Sequence, residues 1–165
     1  MFWDRAGLDR RLYGALTAQL PRSRVLAYGT GPGGLVVAGL VTHLAVWEPS
    51  SWSVTPWHEV LTASWDQEQH RLSWTTQAGD HAVELTTPGR VPGLLRERVQ
   101  ASVVTGENLV VGGVDLVISA RRDLADPNGP LLWRVTGASQ ALLARDDIRS
   151  VTDRRIAELK TELGR

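Results

Sequence analysis

Gly29-Thr-Gly31-Pro-Gly33-Gly34 fits the G-x-G-x-x-G pattern and follows a predicted strand. Such a loop holds a pyrophosphate when the next residues begin a helix, whose first amides then point at the phosphates. The residues that follow here are Leu35-Val-Val-Ala-Gly-Leu-Val41, which favour a strand, so the glycines read as a hairpin turn. His58-Glu59-Val60-Leu61-Thr62 lacks the second histidine of H-E-x-x-H, and that histidine would be a zinc ligand. His43, His70 and His81 lie far apart in the chain and predict no metal cluster. There is no cysteine, which excludes disulfides, cysteine nucleophiles, iron–sulfur clusters and thiolate zinc sites together. No G-x-S-x-G elbow occurs. Asp146-Asp147 resembles a carboxylate pair, but either residue suits the N-cap of a terminal helix. The sequence therefore predicts a non-catalytic protein with no catalytic, cofactor-binding or metal residues.

Binding chemistry has more to draw on. Seven Trp stand against one Phe and two Tyr. Trp47, Trp52, Trp57, Trp65, Trp74 and Trp133 fall in or beside predicted strands, mostly as packing residues. Any left exposed at a sheet edge, with Trp52 as the candidate, would anchor a partner or an apolar or aromatic ligand. Leu8, Leu12, Leu16 and Leu20 recur every four residues and give a helix an apolar stripe for a partner or a second copy. Arg121-Arg122 could hold a phosphate or carboxylate, although Asp123 and Asp126 beside them favour local ion pairs. Arg96 and Arg98 stand about 200° apart around a helix and form no single patch.

The elements that must position these residues follow from periodicity and punctuation. The leucine stripe predicts a first helix that Pro21 stops. Strands are expected at Arg24–Tyr28, Leu35–Ala38, His43–Trp47, Trp52–Trp57, Leu61–Asp66, His70–Thr76 and His81–Thr86. Thr87-Pro-Gly-Arg-Val-Pro-Gly93 is a punctuated joint before an amphipathic helix over Pro92–Val104. Strands at Asn108–Gly112, Val114–Ala120 and Leu131–Thr136 precede a terminal helix, Asp147–Leu163.

At 165 residues and 18.1 kDa the chain fits one domain, 1–165. It would comprise an N-terminal helix (1–23), a β-rich body with its helix (24–104) and a strand-and-helix extension (105–165). Lys+Arg and Asp+Glu both total 18, and this balance argues against nucleic-acid or anionic-membrane binding. Only Lys160 among the basic residues is lysine, a skew that reads as the codon bias of a GC-rich genome. The longest apolar run, Leu35–Trp47, is short of the ~20 residues a spanning helix needs. Met1–Arg5 meets an acid at Asp4 with no apolar stretch behind it, so no secretory signal is read there and a cytoplasmic location is expected.

Four pieces carry a likeness to a known family: Arg24-Val-Leu-Ala-Tyr28, Val36-Val37-Ala38, His43-Leu-Ala-Val-Trp47 and Trp57-His-Glu-Val60, after which the Pro92–Val104 helix would close a barrel. The span from Arg24 to about Val104 resembles a bacterial pleckstrin-homology-like (PH-like) domain. With Arg96-Glu-Arg-Val99, Ala101-Ser-Val-Val104, Arg121-Arg122 and Trp133-Arg-Val135, the whole chain resembles an uncharacterised family of actinobacterial PH-like proteins. The resemblance implies an α+β fold: a mostly antiparallel, strongly bent sheet or partly closed barrel, plugged by the Pro92–Val104 helix. PH-like domains bind phosphoinositides, peptides or proteins. Here the Gly29–Gly34 loop has no basic residue for a phosphoinositide. The expected function is thus a protein-interaction module that binds a partner or itself, using Leu8, Leu12, Leu16, Leu20, Trp52, Arg121 and Arg122. The alternative is a binder of a small apolar or aromatic ligand in a Trp-lined barrel mouth.

Overall fold

The computed structural model describes residues 6–164, so the Met1–Arg5 segment read above lies outside the described residues. The chain packs as two compact units, Met1–Ala101 and Ser102–Arg165, which part three residues before the expected passage at Val104.

In the first unit Asp9 opens helix α1 (Arg10–Gln19) by accepting the amides of Arg11 at 2.8 Å and Leu12 at 3.3 Å. Strands β1 (Val25–Thr30), β2 (Val36–Leu40), β3 (His43–Glu48) and β4 (Ser51–Pro56) follow as an antiparallel meander in that order. Every residue of β2 is buried, as its continuous apolar sequence requires. A 3-10 turn, Trp57–Glu59, leads to a second antiparallel sheet of β5 (Thr62–Asp66), β6 (Arg71–Thr76) and β7 (Gly79–Glu84). Helix α2 (Val91–Ser102) ends two residues earlier than expected, because Val103, Val104 and Thr105 are β-branched and enter a strand instead.

The ladders do not close into a barrel. Among the described residues one isolated bridge ties β1 to the segment after β7, where Thr30 and Thr87 exchange both backbone hydrogen bonds at 2.9 and 3.0 Å. Leu94 and Leu95 of α2 are buried, and Leu94 lies against Gly39 of β2, where a Cβ would meet its side chain.

The second unit is a three-stranded antiparallel sheet, β8 (Val103–Val111), β9 (Val114–Arg121) and β10 (Leu132–Thr136), ordered β10-β9-β8. Val111 pairs with Val114 across Gly112-Gly113, whose φ values of 57° and 78° suit a two-residue hairpin turn. Ser139 caps a short α3 (Gln140–Leu143) that the sequence does not predict. Helix α4 (Asp146–Leu163) buries Ile148, Thr152 and Leu159. Its N-cap is Arg145, so Asp146 and Asp147 lie in the first turn rather than at the cap. Among the described residues no helix is long and apolar enough to cross a membrane.

Candidate functional site

The expected interaction surface is largely interior. Leu8 and Leu16 are 2% and 0% exposed, and Leu12 and Leu20 pack on the same cluster with Val25, Val36, Ala38, Leu40 and Ala45. The stripe therefore belongs to the core of its own unit, because α1 lies on the meander and its apolar face has been used. Trp52, expected at an exposed edge, is 4% exposed and its indole N–H donates to the Leu12 carbonyl at 2.9 Å. Arg121 is also buried, and its Nε donates to Ser102 Oγ at 2.7 Å while the Arg122 amide donates to the Ser102 carbonyl at 2.7 Å. With its guanidinium buried among protein atoms, which lowers its pKa by desolvation, Arg121 is not an open anion clamp.

Three further tryptophans are engaged in packing. Trp57 and Trp74 are buried, and Trp74 stacks on His81 with ring centres 5.3 Å apart. Trp47 packs on Trp52 at 5.5 Å. Asp147 is held by Arg145, whose Nη2 donates to it at 2.7 Å, and this hydrogen bond keeps its carboxyl below the usual range. Arg155 is raised above its ordinary value by Glu107, Glu158 and Glu162, all within 3.1 Å.

The glycine-rich loop has a packing explanation. Gly29 runs so close to the chain before α2 that a Cβ would stand 2.8 Å from the Pro88 carbonyl oxygen. At Gly31 a Cβ would enter the van der Waals shell of the Glu84 carbonyl oxygen. Gly31→Ala is expected to lower stability by roughly 1–3 kcal/mol in urea unfolding, since a backbone oxygen has little freedom to retreat. Gly14→Ala, with open space around the added methyl in α1, is the control and should stabilise by up to about 1 kcal/mol.

What the sequence does not reveal is a groove between β5 and α2. Strand β5 pairs with β6 alone, Thr62 to Thr75 through Asp66 to Arg71, so its other edge has no strand beside it among the described residues. Ala63 and Trp65 share a sheet face with the buried Leu72 and Trp74, while Thr62, Ser64 and Asp66 are exposed on the other. Trp65 is fixed by its indole N–H donating to Gln67 Oε1 at 2.9 Å and by an edge contact with His70. Asp66 Oδ1 accepts the amides of Glu68 and Gln69 at 3.0 Å and so holds the hairpin that presents the edge. Across a space of about 250 Å³ stand Pro92, Gly93, Leu95 and Arg96 of α2. Leu95 is buried at its base and Arg96 is exposed at its rim, with no ion pair among the described residues.

Gly93 keeps this space open. Its φ is not positive, and a Cβ there would meet nothing within 4 Å, so neither backbone conformation nor packing requires glycine. Glycine in a helix costs about 1 kcal/mol relative to alanine. The sequence signal that could have found the groove is this unneeded glycine in the first turn of an amphipathic helix.

Comparison of the chain with protein-family models, curated proteins and solved structures finds no match in any of the three.

Proposed function

We propose that the protein is a non-catalytic protein-interaction module whose β5–α2 groove takes an extended peptide segment of a partner. The observation that carries this reading is the uncovered β5 edge beside a groove that Gly93 leaves clear. An extended chain laid along β5 would satisfy the edge amides and carbonyls, and side chains of alternate residues would enter the groove. Leu95 and Trp65 suit an apolar side chain there, and Arg96 suits an acidic residue beside it. The PH-like reading of residues 24–104 and a cytoplasmic location belong to the same proposal.

Peptides selected from a displayed random library test the function. In complex with a selected peptide, the amides of Thr62–Asp66 are expected to gain protection from hydrogen exchange. Gly93→Phe should weaken binding at least about tenfold, by filling the groove, while thermal unfolding stays near that of the parent. Peptides that bind without protecting β5, or that tolerate Gly93→Phe, would overturn the assignment.

A further inference from the structure

We infer that the second unit carries a separate site for a small planar aromatic acid, formed between β10 and α4 around Trp133 and Lys160. The register places Glu107, Ile118 and Val135 on one face of the sheet, and Thr105, Ala120 and Trp133 on the same face one step along. Arg155 ties α4 to that face by donating to both Glu107 oxygens at 3.0 and 3.1 Å. Trp133 and Lys160 consequently border one pocket of about 420 Å³, completed by Asn128, Gly129, Pro130 and Leu131. That volume lies within the range of small-molecule sites.

The lining specifies the ligand's chemistry. Trp133 and Leu131 are half-buried and, with Pro130, offer apolar and aromatic surface to a flat ring system. Lys160, the only lysine of the chain, is the single charged lining residue, and it makes no ion pair among the described residues. The neighbouring acids Glu158 and Glu162 are engaged by Arg155 instead. Asp126, whose carboxylate lies against Gly129, is not part of the lining. A ring stacked on Trp133 with its carboxylate toward the Lys160 ammonium satisfies both features. A neutral ring would satisfy only the first.

Saturation-transfer NMR on the full chain, with indoleacetate and its neutral alcohol tryptophol as probes, tests this. Both should bind, with shift changes confined to Asn128–Trp133 and the last two turns of α4, and the acid should bind more tightly. Lys160→Gln is expected to weaken the acid about two- to fivefold, the range of an exposed ion pair, and to leave the alcohol unchanged. Lys160→Glu, at an exposed helix position, should weaken the acid further, and Trp133→Leu should weaken both probes. The inference is overturned if neither probe receives saturation, if acid and alcohol bind equally, or if Lys160→Gln alters neither or both alike. Because Gly93→Phe leaves this unit untouched, its effect on peptide binding separates the two proposals.

Discussion

Trp57→Ala is expected to cost about 3–5 kcal/mol, a large share of the roughly 5–15 kcal/mol that holds a domain folded. Trp57 is 1% exposed and its indole N–H donates to the Leu40 carbonyl at 2.9 Å. Leu40 is itself buried, so truncation both opens a cavity and leaves a carbonyl without this donor inside the core. The ring also lies beside Gly39, where Leu94 of α2 comes down on β2. One residue in a short 3-10 turn thus anchors to β2 of the four-stranded sheet, next to the place where α2 packs on it. Urea unfolding should show a lower midpoint with an unchanged slope. Trp57→Phe, which keeps most of the apolar ring and loses the N–H, should fall between the two. A cost below about 1 kcal/mol for the alanine variant would refute the packing described for Trp57.

Leu16→Asp is expected to release α1 from the meander rather than to abolish partner binding. Leu16 is fully buried, so an aspartate there must either lose its hydration or pull the helix out into water. The second course is open to a peripheral helix of ten residues, and it limits the loss to what α1 gains by docking, roughly the 2–5 kcal/mol of a buried leucine and its neighbours. Undocking would deprive Trp52 of the Leu12 carbonyl and let water reach its ring. A red-shifted tryptophan emission and protease cleavage near Pro21–Arg24 should therefore appear together. Unchanged emission with loss of an oligomer would instead mean that the leucine stripe faces a second chain.

Most elements were legible in the sequence because their periodicity is local. The β5–β6 hairpin and the terminal helix can be read from alternation and from the spacing of Ile148, Val151, Ile156, Leu159 and Leu163, although Val151 and Leu163 stand exposed. Periodicity shows that a face is covered, not by what: the leucines of α1 were visible as a stripe, but their cover is the same chain's β1–β4 sheet. Burial of Arg121 was hidden for a related reason, since Ser102, its acceptor, lies nineteen residues away on another element. The groove was the least legible feature. An edge is defined by the absence of a neighbouring strand, and no property of Thr62–Asp66 alone records which strands lie beside it.

The isolated Thr30–Thr87 bridge carries a kinetic consequence. Each hairpin of the first unit joins residues close in sequence, but this bridge encloses nearly the whole strand region in one loop. Closing so long a loop loses chain entropy before any contact repays it. The bridge then belongs to the late steps of folding, after both meanders have formed.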